Sequence, residues 1–321
     1  MPAAGHVAQT GRLLRQGIRL GVVLSCLAVA QAVGPQGRIV YRGFQFDAEP
    51  AVDVYVVDAD GSNQRALADD QTAFTAMWSG DGRVAAWLND DDGLFIMNAD
   101  ATGRQRVPDG HYPRDWSDDG EWFATVHFER GRGVDIAKHR ADGSDYEALT
   151  AEGFSQINSI EWSPDGTALV FSARGGGGAW QDIFTVGADG NGLTNLTDHV
   201  SSNYDEHWSA DGRNVFFISQ RDAGFWVYVM DADGRDVRRL DTDRGVGHLL
   251  GASPDGQYLL IDGADLHVLD TDGRHVSQVT DDDLWPRRAD WYIPRSILSV
   301  TPFGQHLGYW GWLKTLRAGV H

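Results

Sequence analysis

The sequence contains a single cysteine, Cys26, and only two lysines, Lys138 and Lys314, in 321 residues. One thiol near the N-terminus leaves the rest of the chain without a disulfide, so its stability must come from packing. With lysine this scarce, nearly all positive charge is arginine, which favours planar hydrogen-bonded contacts over a diffuse basic patch. Positive charge is also in the minority: 27 Lys and Arg stand against 46 Asp and Glu, for a formal charge of -19. A field of that sign repels a phosphate backbone, so nucleic acid is not expected as a partner. No amphipathic helix of useful length follows residue 32. There is no Gly-x-Ser-x-Gly elbow and no His-Glu-x-x-His pair, and the glycine run at 175–178 has neither the Lys nor the following helix of a phosphate loop. These absences exclude the standard hydrolase, metalloprotease and nucleotide-binding constellations.

Residues 1–32 carry Arg12, Arg15 and Arg19 but no acid, followed by an apolar run over 20–30 that ends Ala30-Gln31-Ala32. This is the pattern of a secretory signal, cut before Val33. It predicts an exported protein, periplasmic or extracellular. The run is shorter than the about 20 apolar residues of a membrane span. Membrane attachment is therefore expected only if the segment stays uncleaved, or if Cys26 is lipidated within Val23-Leu24-Ser25-Cys26.

What the chain does have is a repeat. Trp78-Ser79-Gly80-Asp81-Gly82 returns as Trp116-Ser117-Asp118-Asp119-Gly120, Trp162-Ser163-Pro164-Asp165-Gly166, Trp208-Ser209-Ala210-Asp211-Gly212 and Ala252-Ser253-Pro254-Asp255-Gly256, and Asp290-Trp291 keeps the Trp without the turn. Positions 78, 116, 162, 208, 252 and 291 are 38, 46, 46, 44 and 39 residues apart, a period that suits one four-stranded propeller blade. Each turn is followed by a run rich in aromatic and β-branched residues (83–88, 121–128, 167–172, 213–219, 257–262). A further set of such runs (52–57, 94–97, 134–137, 182–186, 226–230, 265–269) ends in an Asp-Gly hairpin signal, as at Asp60-Gly61 and Asp189-Gly190. In blade two the signal is Asp100-Ala101-Thr102-Gly103. The first repeat, from Arg38, lacks its Trp-bearing strand, and the isolated Trp291 supplies one. The expectation is an all-β fold: a six-bladed β-propeller of four-stranded antiparallel blades, its ring closed by a C-terminal strand over 287–293 so that no sheet edge stays open. The domains are then 1–32 as signal peptide, 33–293 as propeller and 294–321 as an aromatic tail.

In blade four, Trp162-Ser163-Pro164-Asp165-Gly166 leads through an apolar strand to Asp182-Ile183-Phe184, Ala188-Asp189-Gly190 and Asn195-Leu196-Thr197. This order resembles the repeat of TolB-type propellers, as does the stretch from Val227 through Met230 to Gly234. The resemblance spans residues 37–293 and implies the fold. It implies less about function, because the same repeat occurs in propellers attached to peptidases, in lyases and in proteins with no assigned role. The pattern departs at two points: the α/β domain that precedes the propeller in TolB has no room between the signal and Arg38, and Ala252 replaces the Trp in blade six.

A residue that recurs once per blade reads as structure, so the Trp residues are expected to fill the gaps between neighbouring blades. The Ser-x-Asp-Gly groups read as turns in which side-chain oxygens accept backbone N–H bonds and Gly takes positive φ. Asp58-Ala59-Asp60-Gly61-Ser62-Asn63 lacks the later bidentate acid of a calcium loop and reads as a hairpin. The tail, with Phe303, Tyr309, Trp310 and Trp312 among glycines and no acid, reads as packed on the outside of the ring or as a contact surface for a partner.

Function is expected on the face carrying the longer, more varied connections. The segments leading into each Trp run toward the central channel, and they supply the candidate ligand-binding residues: His111, Tyr112, Arg114, Asn158, Tyr204, Asp205, Glu206, His248, Arg287 and Arg288. Arginines in so acidic a chain are either paired with Asp205, Glu206 and Asp283 or offered to an anionic group, with Tyr112 and Tyr204 adding flat contact area. Two functions follow. The first is a non-catalytic binding or scaffold protein, monomeric and without a cofactor, that recognises a protein partner or an anionic glycan. The alternative is a lyase on an acidic sugar, assisted by a divalent metal held by His111, His207 and His248. No residue is assigned as catalytic.

Overall fold

The structure, a computed structural model, describes residues 34–45, 51–67, 73–88, 93–107, 113–175, 178–243, 245–263, 265–281 and 285–294. The signal-like segment and all of the aromatic tail beyond Pro294 lie outside the described residues. Six four-stranded sheets follow one another along the chain. Blade one holds β1 (Arg38–Gln45), β2 (Ala51–Asp58) and β3 (Arg65–Ala66). Blade two is β4 (Ala73–Trp78), β5 (Arg83–Leu88), β6 (Gly93–Asn98) and β7 (Gln105–Arg106). Blade three is β8 (Pro113–Trp116), β9 (Trp122–Glu129), β10 (Gly133–Arg140) and β11 (Tyr146–Ala148). Blade four is β12 (Gln156–Trp162), β13 (Ala168–Arg174), β14 (Asp182–Gly187) and β15 (Thr194–Asn195). Blade five is β16 (Asn203–Trp208), β17 (Asn214–Ser219), β18 (Trp226–Asp231) and β19 (Arg238–Arg239). Blade six is β20 (Leu249–Ala252), β21 (Tyr258–Asp262), β22 (Leu266–Asp270) and β23 (His275–Gln278). The last strand, β24 (Trp285–Tyr292), returns to blade one. It pairs antiparallel with β1, Ile39 opposite Trp291, and completes the order β24-β1-β2-β3.

Strand composition follows position in the blade. The second strand has neighbouring blades on both faces, so β13 (ALVFSAR) and β17 (NVFFIS) are buried along almost their whole length and read as continuous apolar runs. The outermost strand has nothing beyond it. β7, β15 and β19 are two exposed residues each, too short to template pairing with another chain.

The core consists of six apolar clusters, and each one bridges two adjacent blades. Trp78 joins blades one and two, Trp116 blades two and three, Trp162 blades three and four, Trp208 blades four and five, and Trp291 blades six and one. The expected role of the repeated Trp is thus observed. Between blades five and six the cluster is made by Phe216, Ile218, Leu249 and Leu259, with Ala252 where the ring would be. The turns also have the expected chemistry. Ser163 Oγ donates to Asp165 Oδ1 at 2.7 Å and accepts from Ala168 N at 3.0 Å, and Gly166, at φ 70°, closes the turn onto Ser163 O at 2.8 Å. In blade two Ala101 sits at φ 66°, where the other blades use Gly, and Gly103, at φ 67°, stands where blade one has Asn63, at φ 55°.

Trp291 is 4% exposed, and its indole Nε1 donates to Gln36 O at 2.7 Å, tying the last strand to the residues before the first. Trp291→Ala is expected to cost about 3 to 5 kcal/mol, the range for emptying a buried Trp site. The denaturant midpoint measures it, and a midpoint within error of the parent would place Trp291 outside the closure.

Candidate functional site

The six inner strands β24, β4, β8, β12, β16 and β20 border the central channel, and each carries a register shift against its partner. At two of these bulges a non-glycine residue takes the left-handed conformation, Asp205 at φ 52° and Arg288 at φ 52°. A bulge re-aims the side chains around it. Here the effect is to gather the variable residues before each Trp around one cavity of about 530 Å³ on the long-connection side, within the size range of small-molecule sites.

The waist of the channel is set by the residue just before each Trp. Asp290 accepts from Trp78 N at 2.7 Å, Asp115 from Trp162 N at 2.6 Å and Glu161 from Trp208 N at 3.1 Å. A carboxylate of one blade thereby satisfies the backbone of the next. Glu161 also meets His207 Nδ1 at 3.0 Å, while His207 Nε2 faces Leu249 O at 3.3 Å. Both ring nitrogens point at acceptors, an arrangement that suits the doubly protonated imidazolium. Burial works against that charge, but Glu161, Glu206 and Asp205 together outweigh it and the His207 pKa rises to about 9. The carboxyls are pushed up as well. Burial takes Asp290 to about 6, and burial together with Glu161 and Asp290 lifts Asp115 well above the usual range. Glu206 is 1% exposed and reaches about 7 through burial. Its Oε2 accepts from Ser159 Oγ at 2.8 Å, and its Oε1 is buried without a partner.

Above the waist three guanidinium groups, those of Arg42, Arg114 and Arg288, line the cavity. Burial lowers the pKa of each, Arg114 to about 10, and the charge of Arg288 adds to the lowering at Arg42 and Arg114. Arg114 Nε is buried and has no hydrogen-bond partner.

Of the residues expected from sequence, Arg114, Asn158, Asp205, Glu206, His248 and Arg288 meet at this cavity. Tyr204 lines an adjoining one, half-buried, its pKa raised by burial to about 12. His111 and Tyr112 lie outside the described residues, as does the side chain of Arg287, whose backbone pairs with Arg42. Of the acids expected to pair with the arginines, Asp205 acts on Arg288, where its charge favours the charged form. Asp205 pairs with His248 Nδ1 at 2.7 Å, Glu206 turns to Ser159, and Asp283 is outside the described residues. Sequence reasoning missed Arg42, which lies on β1 rather than before a Trp, and the waist residues Asp115, Glu161 and Asp290. The fixed place of those acids immediately before a Trp was the available signal.

The TolB beta propeller domain family matches residues 115–284, more than half of the chain, which therefore belongs to this family. The uncharacterized protein Atu1656 of Agrobacterium fabrum is 30% identical over 156 residues, 45% of this chain and 52% of that protein. The chain spans about half the length, or less, of the curated relatives it matches. Among solved structures, TolB from Acinetobacter baumannii superposes with a TM-score of 0.65 at 19% identity, over 79% of this chain and 66% of TolB. An oligogalacturonate lyase in complex with manganese gives 0.55 at 15% identity, over 74% and 77% of the two chains. At these identities the likeness is one of fold.

The waist makes stability depend on pH. Asp290, Glu206, Asp115 and His207 all bind protons more tightly folded than unfolded, so each contribution weakens as pH rises. For the carboxyls the loss starts above their unfolded values near 4 and runs through about 6 for Asp290 and about 7 for Glu206. For His207 it starts above about 6.5 and runs through about 9. The turn aspartates, such as Asp60, Asp142 and Asp165, are shifted down by side-chain hydrogen bonds and titrate below this window. The melting temperature is therefore expected to fall steadily from pH 5 to pH 9, and Glu206→Gln to flatten the part between pH 5 and 8. A melting temperature that rises over this span would contradict the assignment.

Proposed function

We propose that the protein is a non-catalytic binding module, working outside the cytoplasm, that holds an anionic group of a protein or glycan partner in the mouth of its channel. The single observation that carries this reading is the convergence of Arg42, Arg114 and Arg288 on one cavity, with Arg114 Nε buried and unpartnered. Crowding like charges together, with Arg42 and Arg114 part-buried, costs stability. Such a cost is offset when an anion arrives and makes charge-assisted hydrogen bonds in a low-dielectric site. The acidic remainder of the protein, at a formal charge of -19, disfavours anions over much of the surface and sets this cluster of arginines apart. Family membership supports a binding or scaffold role in general terms, and the signal-like N-terminus supports export.

A second reading is a metal-assisted lyase on an acidic sugar, since one fold neighbour is an oligogalacturonate lyase in complex with manganese. It draws on histidines that are otherwise engaged. His207 bridges Glu161 and Leu249, His248 contacts Asp205, and His111 lies outside the described residues. Among the described residues no group of three His, Cys, Asp or Glu is placed to hold a metal. A stoichiometric transition metal in the purified protein would favour this second reading.

The test is calorimetric titration of the protein with acidic oligosaccharides and acidic peptides, beside the double variant Arg114→Gln/Arg288→Gln. Affinity for whichever class binds is expected to fall at least tenfold, about 1.4 kcal/mol, with the melting temperature equal to or above that of the parent because the repulsion between Arg114 and Arg288 has been removed. A lower melting temperature with unchanged affinity would make these arginines structural and move the site elsewhere.

A further inference from the structure

A second cavity of about 430 Å³ adjoins the channel and shares Asn158, Asp205 and His248 with it. Its remaining wall is formed chiefly by Gln181, Tyr204 and Phe225. Gln181 is 8% exposed, and its segment is fixed because Gln181 O accepts from Asn203 N at 2.8 Å. Yet its side-chain Nε2 is buried without a hydrogen-bond partner. A buried amide donor left unpaired costs about 1 to 3 kcal/mol, and native interiors rarely leave one so. Phe225 adds an aromatic ring that is 47% exposed. Tyr204 stands edge-on to His248, ring centroids 6.3 Å apart. Across the shared wall, Arg114 Nε and Glu206 Oε1 are likewise buried and unpartnered. Residues lining the two cavities thus carry buried, unpartnered donors, on Gln181 and Arg114, and an acceptor, on Glu206, beside an aromatic face.

We propose that the side cavity is a second subsite, which receives an uncharged, hydroxyl-bearing sugar unit joined to the acidic sugar whose carboxylate lies on Arg114 and Arg288. The proposal rests on the anion-binding reading above. Hydroxyl groups suit this lining because each both donates and accepts: one accepts from Gln181 Nε2, and others meet the carboxylates nearby. The C–H face of a sugar ring has Phe225 to lie against. A peptide fits less well. Strand addition needs an uninterrupted row of backbone donors and acceptors, and every inner strand around this channel breaks its row with a bulge. The side cavity also lacks the aliphatic lining that would hold a peptide side chain.

The experiment is titration calorimetry of the full chain with two probes, glucuronate and a disaccharide of glucuronate linked to glucose, with hexaglutamate as the peptide control. The parent protein is expected to bind the disaccharide at least tenfold more tightly than glucuronate. Gln181→Met keeps the length and removes the donor; it should bring the disaccharide down to the affinity of glucuronate and leave glucuronate unchanged. Equal affinity of the parent for both sugars would overturn the subsite while leaving the anion reading intact. So would a Gln181→Met variant that weakens both sugars alike or neither. Binding of hexaglutamate with neither sugar bound would overturn the glycan assignment in favour of a protein partner. Failure of all three probes would remove the anion reading and this subsite with it.

Discussion

Blades of a propeller must meet their neighbours on both faces, and here one short segment of each inner strand does most of that work. The Trp that ends the strand packs back onto the preceding blade, and the residue before it reaches forward. At three of the six interfaces the forward residue is a carboxylate that accepts the backbone N–H of the next Trp. An apolar contact in one direction and a polar contact in the other fix the rotation of each blade about the ring axis. The same constraint acts at the closing seam, where Asp290 and Trp291 on β24 occupy the same two places as Glu161 and Trp162 on β12.

This joint has an electrostatic consequence. It places acids at the waist, where burial raises the pKa values of Asp115 and Asp290. Of the acids nearest the mouth, Asp205 pairs with His248 and also favours the charged form of Arg288, and Glu206 accepts from Ser159. Arg42, Arg114 and Arg288 line the mouth above this acidic waist, within a protein of formal charge -19. Blade six adds asymmetry. There Ala252 stands in place of a Trp, and the interface with blade five is filled by Phe216, Ile218, Leu249 and Leu259.

The fold was legible in the sequence because propeller repeats write their constraint once per blade. Trp, the Ser-x-Asp-Gly turn and the Asp-Gly hairpin recur at fixed places, and even the closing strand was marked by the isolated Trp291. The candidate site was legible only in part. Arg114, Asp205 and Arg288 could be placed near the channel because they precede a Trp, but their orientation depends on bulges, and a bulge leaves no residue signature when its left-handed position is an Asp or an Arg. Arg42 lies on the second strand of its blade, and only the closure by β24 brings it to the mouth. Gln181 lies outside the pre-Trp segments, in the connection before β14, so neither its burial nor its unpaired amide follows from composition or spacing.

The central claim is that the arginine-lined end of the channel is where an anion binds. A crystal structure of the protein grown with glucuronate tests it most directly. The expected result is carboxylate density within hydrogen-bond distance of the Arg114 and Arg288 guanidinium groups. Density on the Ser-x-Asp-Gly face or on the outer rim, with the arginine-lined cavity holding water alone, would contradict it.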